Sequence, residues 1–435
     1  MKSVVEELVN ESLRREIPVP VARSVNVKRL PGKVSVLIGM RRTGKTWLCF
    51  QRMRELMAQG VSREQLLYLN FEDDRLAGLS VRDLRWIPEF FYALNPKFRR
   101  QTCYFFFDEI QLVDGWEQFV RRLLDTEKVE IAVTGSSAKL LGSEIGSSLR
   151  GRGLATEVFP LDFKEFCEFN GIQMPSGGAV SAQMRSAMQH AARRYFEAGG
   201  FPEVQGVEAS LRRDVLQEYV GAVILRDVVD RHAVANVVAL RALVRQILQN
   251  PGAALSLTRF TGTLKALGIP VAKNSLLAYL EHLQDAYLCF PVEIHDRSVR
   301  RRQVNERKLY TIDVGLQKAF ALGQTAADQG RYLESLVYMQ LRRQGFRPDY
   351  YRTKAGHEVD FIVEGSRGKV LIQCCWSLEK AETREREFRA LSEAADENQG
   401  SQRWVVTWLE DGDVDGVRVL PFWKWALDAG IKTGW

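Results

Sequence analysis

The sequence has no Cys-x-x-Cys pair. Its six cysteines, Cys49, Cys103, Cys167, Cys289, Cys374 and Cys375, are scattered along the chain. Its five histidines show no ligand spacing either. These two absences argue against a structural zinc site or a disulfide framework and point to a reducing, cytoplasmic setting. The first residues, Met1-Lys-Ser-Val-Val-Glu-Glu, hold no apolar core of signal-peptide length, and no later apolar run approaches the ~20 residues of a membrane span. No membrane partner is expected. Charge of one sign is not extreme: the net value of +7 permits a nucleic-acid partner without requiring one. With 46% apolar and 26% charged residues, the 435-residue chain has the composition of a globular protein of two to four modules.

Against that background one stretch stands out. Val34-Ser-Val-Leu-Ile reads as a short buried strand that runs into Gly39-Met-Arg-Arg-Thr-Gly44-Lys45-Thr46, followed by a helical run from Trp47 to Met57. Glycines at these positions let backbone N–H groups close around phosphate oxygens, and the helix start adds its positive dipole end. Lys45 is expected to reach the β- and γ-phosphates, and Thr46 to offer its hydroxyl to Mg²⁺. The set Gly39, Arg42, Thr43, Gly44, Lys45, Thr46 and Trp47 thus predicts a site for ATP or a related triphosphate. The plain structural alternative is a Gly-rich turn at a strand–helix junction.

Three further segments fit a parallel sheet covered by helices. Gln65 to Phe71 reads as a second buried strand, and an amphipathic helix interrupted at Pro88 is expected over 81–94. Cys103 to Asp108 is a continuous apolar strand ending in Asp108-Glu109. Asp108 would hold the Mg²⁺ through water, and Glu109 would orient and activate the attacking water. Val129 to Ser137 is another strand with a polar tip, at which Thr134, Ser136 or Ser137 could bond the γ-phosphate or serve as helix caps. Ser148 to Arg152 then places Arg150 and Arg152 around a glycine. They are either catalytic arginines offered to a neighbouring subunit or a solvated basic turn.

These phrases together (Gly-Met-Arg-Arg-Thr-Gly-Lys-Thr, Tyr-Leu-Asn-Phe-Glu-Asp, Phe-Phe-Asp-Glu-Ile-Gln, Thr-Gly-Ser-Ser-Ala-x-Leu-Leu and Leu-x-Gly-Arg) resemble the prokaryotic ATPases of the AAA+ superfamily that carry a C-terminal DUF4143 domain. The family has Asn where this chain has Ser137, which weakens a sensor role there. The resemblance implies an α/β fold: a P-loop AAA+ three-layer core over residues 1–162 and a helical lid over 163–237. A winged helix over 238–325 and a restriction-endonuclease-like α/β domain over 326–435 would follow. It also implies a homo-oligomer, with a hexamer as one form. In the lid, Gly199-Gly200-Phe201-Pro202 resembles a Gly-x-Pro signature in which Pro202 approaches the nucleotide; a helix end followed by proline is the alternative. Arg226 is a further γ-phosphate sensor candidate.

Over 238–318 the residues themselves suggest a helix-turn-helix, 256–268 and 272–283, whose second helix leads with Lys273, Asn274 and Ser275. Two strands, 287–294 and 308–312, enclose a basic loop with Arg297, Arg300, Arg301 and Arg302, a DNA-binding candidate. A module that serves protein contacts alone is the competing reading. In the last segment, Glu334 and Asp360 match the metal-binding acids of active restriction-endonuclease folds. Gln373 stands where Glu is usual and Cys375 where Lys is usual, so a binding or assembly role is expected over nuclease activity. Three functions follow: a DNA-associated ATPase, an ATP-dependent signalling switch acting on protein partners, and an ATP-gated Mg²⁺ nuclease.

Overall fold

The computed structural model describes residues 1–136, 149, 151–175, 180–323, 326–365 and 368–428. Ser137 and Arg150 lie outside the described residues. The chain divides into two compact units, Met1–Val158 and Phe159–Trp435.

In the first unit the elements are α1 (Lys2–Arg14), β1 (Val34–Ile38), α2 (Lys45–Ala58), β2 (Leu66–Asn70), α3 (Trp86–Leu94), β3 (Cys103–Asp108), α4 (Trp116–Thr126), β4 (Val129–Gly135) and β5 (Gly153–Glu157). The five strands form one parallel sheet in the order β2-β3-β4-β1-β5. Strands such as β3, whose Phe105, Phe106 and Phe107 are all buried, are apolar on both faces because helices cover both. One layer is made by α2, whose Leu48, Phe50, Met53 and Leu56 pack with Leu37, Tyr68 and Phe106. The amphipathic α4 buries Trp116, Phe119, Val120 and Leu123. Pro88 does not break a helix here: a 3₁₀ turn over Asp83–Arg85 leads into α3, and Pro88 sits in the first turn, where its missing N–H costs nothing. This strand order brings the carboxyl ends of β1, β3 and β4 side by side, where ligands of such sheets bind.

The second unit begins with α5 (Phe163–Phe169), α6 (Ala182–Ala198) and a 3₁₀ turn at Pro202–Val204. Next is α7 (Ala209–Ala222), extended by a π-helical stretch to Val229 and a last turn ending at His232. The helical run therefore starts at Ala209 and changes winding midway. The chain continues through α8 (Val237–Gln249), β6 (Ala254–Leu255), α9 (Leu257–Ala266), α10 (Lys273–Asp285), β7 (Cys289–Val292), α11 (Val299–Val304), β8 (Arg307–Thr311) and α12 (Val314–Phe320). The strands pair antiparallel in the order β6-β8-β7. The basic segment expected as an open loop is helical from Val299, because Ser298 caps the turn by accepting from the Arg301 N–H.

The remainder holds α13 (Ala326–Arg343), β9 (Asp349–Arg352), β10 (Glu358–Gly365), β11 (Gly368–Cys374), α14 (Ala381–Glu397), β12 (Gln402–Thr407), β13 (Gly412–Val414), β14 (Val417–Pro421) and α15 (Phe422–Leu427). Its mixed sheet runs β13-β14-β12-β11-β10-β9, parallel across β11, β12 and β14. This sheet and the preceding helices share one core. Phe196 of α6 packs on Trp376 and Trp408, Phe163 and Tyr195 pack on Phe422, and Arg343 donates to the Pro160 carbonyl at 3.1 Å.

Candidate nucleotide site

At the end of β1 the backbone turns through Gly39, which has φ +156° and on which a Cβ would stand 2.1 Å from the Val158 carbonyl oxygen. The close pass of that carbonyl makes glycine obligatory at this position. Gly44, at φ +95°, starts α2 and leaves its first N–H groups facing the loop. Lys45 is buried, and its Nζ donates to the carbonyls of Gly39 at 3.0 Å and Met40 at 3.1 Å, so the ammonium lies over the mouth of the loop. Glu109 stands beside it, with Nζ to Oε1 at 3.7 Å.

Asp108 gathers hydroxyl groups from three elements. Thr46 Oγ1 donates to its Oδ2 at 2.7 Å, Tyr68 OH donates to the same oxygen at 2.7 Å, and Thr134 Oγ1 donates to Oδ1. Burial, reinforced by the Asp108 charge, pushes the Tyr68 hydroxyl well above its ordinary range, so it remains a donor. Glu109 adopts φ +55°, unusual for a side-chain-bearing residue, and its N–H donates to Thr134 Oγ1 at 3.0 Å. Thr134 thereby fixes the backbone of the residue expected to activate water. The Glu109 carboxylate also accepts from Gln111 Nε2.

The expected P-loop, Asp108, Glu109 and Thr134 thus converge. Thr43 is buried, Arg42 is exposed at φ +67°, and Trp47 is 48% exposed with its ring perpendicular to that of Phe50. Arg152 precedes β5, beside Val34 at the amino ends of the strands, and pairs with Asp125. A five-residue strand spans roughly 13 Å between its end Cα atoms, so Arg152 lies at the opposite end of the sheet from the P-loop. Pro202 belongs to the second unit, where Gly199 and Gly200 have a packing explanation of their own. A Cβ on Gly199 would meet Asp313 Oδ1 at 2.0 Å, and the Gly200 N–H donates to Asp313 Oδ2 at 2.7 Å. Arg226 is exposed.

Arg23 was not legible as part of the site. It is buried, and its Nη1 donates to the Thr43 carbonyl at 2.9 Å while its N–H donates to Gln51. The segment before β1 is thereby tied to the loop and to α2. Tyr68 and Gln111 were missed as well. No spacing rule marks a residue recruited from an adjacent strand or an irregular segment.

The DNA candidates sit on two exposed edges of the second unit. Lys273 and Asn274 occupy the first turn of α10; Arg297 precedes α11, and Arg300 and Arg301 lie exposed on it, Arg301 pairing with Asp296 at 3.0 Å. Arg302 is half-buried.

In the last segment Glu334 and Asp360 do come together, joined by Glu358 and by Lys308 of β8, whose Nζ lies 2.8, 2.9 and 3.4 Å from Glu334, Glu358 and Asp360. Gln373 lies beside Asp360 but contacts other groups: its Oε1 accepts from the Asp360 N–H at 3.2 Å and its amide donates to Glu387. Burial and then the Glu334 charge push the Asp360 carboxyl upward, against the Lys308 ammonium and the Cys374 N–H, which favour its ionised form. Burial opposes the Lys308 charge, but the surrounding acids outweigh it and hold the ammonium well above its ordinary value. Burial pushes the Cys375 thiol up to about 12, as expected of a core residue rather than a redox partner.

A parallel sheet with a glycine loop, a threonine–aspartate pair and a glutamate at adjacent strand ends defines a P-loop ATPase of the AAA class. Comparison with known proteins narrows this. A family model described as an AAA domain matches residues 31–167, and two domains of unknown function match 189–328 (DUF8612) and 329–425 (DUF4143). An uncharacterized protein of Methanocaldococcus jannaschii is 34% identical over 442 residues, covering 98% of this chain and 96% of its own. An uncharacterized protein of Haemophilus influenzae is 26% identical, covering 91% and 94%. Among solved structures, the Walker-type ATPase of Pyrococcus abyssi is similar at a TM-score of 0.42 and 15% identity, over 74% of this chain and 95% of that one. The chain belongs to the family of AAA-domain proteins with a C-terminal DUF4143 domain.

Proposed function

We propose that this protein binds and hydrolyses ATP with Mg²⁺ and works as an oligomeric, DNA-associated ATPase. The observation that carries the ATPase reading is the joint placement of Thr46 on Asp108 and of Lys45 on Glu109 at the mouth of the Gly39 loop. Thr46 and Asp108 offer a hydroxyl and a carboxylate, the hard oxygen donors that suit Mg²⁺, and would hold it. The ion supplies charge neutralisation for the phosphates.

Lys45 binds the phosphates and, in turning to them, leaves Glu109. Freed of that ion pair, the Glu109 carboxylate accepts a proton from the attacking water, while Thr134 keeps its backbone in place. The test separates binding from chemistry. Lys45→Ala should lose ATP affinity, whereas Glu109→Gln should bind ATP within about twofold of wild type and hydrolyse it about 10²–10⁴-fold more slowly. Wild-type turnover by Glu109→Gln would remove this assignment.

A DNA role is supported by the exposed positive groups of α10 and α11, and we read α8 to β8 as a winged helix. The resting contacts of Glu109 with Lys45 and Gln111 favour a second reading, a slow switch that retains nucleotide. Continuous turnover stimulated by DNA supports the first; slow turnover with tightly held nucleotide supports the second.

A further inference from the structure

The acid cluster of the last segment does not fit the divalent ion that a nuclease centre would hold. Glu334 comes from α13 and Glu358 and Asp360 from β10, and all three carboxylates converge on one point. Lys308 Nζ stands at that point. An ammonium has three N–H donors, and here three carboxylates accept, at 2.8, 2.9 and 3.4 Å. These separations suit N–H···O contacts, so the lysine ammonium fills the point on which the acids converge. The acids take further hydrogen bonds from the groups around them. Tyr310, two residues along the same strand, donates to Glu334 at 2.5 Å, Arg352 lies 3.2 Å from Glu358, and the Cys374 N–H donates to Asp360 at 2.9 Å. Gln373, the position of a missing ligand, is engaged with the Asp360 backbone and Glu387 instead.

We propose that Lys308 is the resident cation of this cradle, its ammonium taking the place of a hard divalent ion, so that the native chain keeps the centre metal-free. The lysine is supplied by β8 of the preceding three-stranded sheet, and it ties that sheet to the α/β segment. Removing the ammonium leaves three facing carboxylates, a donor set for Mg²⁺ or Mn²⁺. The proposal does not depend on ATP hydrolysis or DNA binding.

The test is Mn²⁺ binding to the full chain without nucleotide, read by electron paramagnetic resonance and by the shift in melting temperature. Lys308→Met should take up Mn²⁺ at least tenfold more tightly than wild type and melt higher with it. Lys308→Arg, which keeps the charge, should gain none. Adding Asp360→Asn to Lys308→Met should abolish the gain. Lys308→Gln retains hydrogen bonding to the acids and carries the same expectation if the methionine variant does not fold. Absence of a gain in both neutral variants overturns the proposal. So does wild-type Mn²⁺ binding that is lost in Asp360→Asn, because the ion and the lysine would then share the site.

Discussion

Asp108 shows how much of the proposed chemistry rests on supporting hydrogen bonds. A carboxylate at the end of an apolar strand is commonplace until three hydroxyl donors from β2, α2 and β4 point it at one place. Of these, Thr46 follows from the loop motif, while Tyr68 enters only because β2 lies beside β3, with Asn70 in register with Asp108. Removing the Tyr68 hydroxyl leaves the ring in its apolar packing and deletes one charge-assisted hydrogen bond, a contribution of about 1.5–3 kcal/mol. Tyr68→Phe should therefore lower stability by about that amount, measured by urea unfolding. It should also raise the Mg²⁺ concentration needed for half-maximal ATP turnover, because Asp108 is then less firmly aimed. Unfolding and Mg²⁺ titrations identical to wild type would show that Thr46 and Thr134 suffice.

At the scale of elements, the buried strands and the P-loop helix were legible because apolar runs and glycine spacing are local signals. Helix boundaries set by neighbours were not. The turn at Ser298 and the start of α7 at Ala209 depend on caps, and the convergence of Lys308 with Glu334 and Asp360 depends on packing between separate elements that no short window contains. Asp313, which caps α12 and receives the Gly200 N–H, illustrates the same point. Burial raises its carboxyl from 3.8 to about 6, against the backbone hydrogen bonds that lower it. The folded state therefore binds a proton more tightly than the unfolded one. The associated stabilisation, about 3 kcal/mol, is fully present below pH 4 and is lost as pH rises through 6. Stability measured from pH 4 to pH 7 should show this fall in wild type and lack it in Asp313→Asn. The arginines of α11 make a second element-scale claim. Arg300→Ala/Arg301→Ala/Arg302→Ala should weaken DNA binding and flatten its salt dependence by about 0.9 in log–log slope for each phosphate no longer neutralised. Unchanged affinity and slope in the triple variant would assign this face to a protein partner.

For the whole molecule, the position of Arg152 has a direct implication. It stands at the amino ends of the strands, beside Val34, and therefore cannot serve the phosphate site of its own sheet. If it acts on phosphate, it acts in another copy. Arg152→Ala should then bind ATP but hydrolyse poorly, and mixing it with Lys45→Ala should restore part of the activity, since each supplies what the other lacks. Full activity of Arg152→Ala in a protein that sediments as a monomer with ATP would exclude the shared site. The N-terminal helix limits how such copies can meet. β2 is the outermost strand of the sheet, and its Tyr68 N–H donates to Ser12 Oγ of α1, while Arg63 reaches the Ser12 carbonyl. Val5, Leu8 and Val9 are buried on the same helix. Along β2, a border at which a β-sheet ordinarily recruits a foreign strand, the sheet is thus already capped from within the chain, so aggregation by strand addition is blocked there.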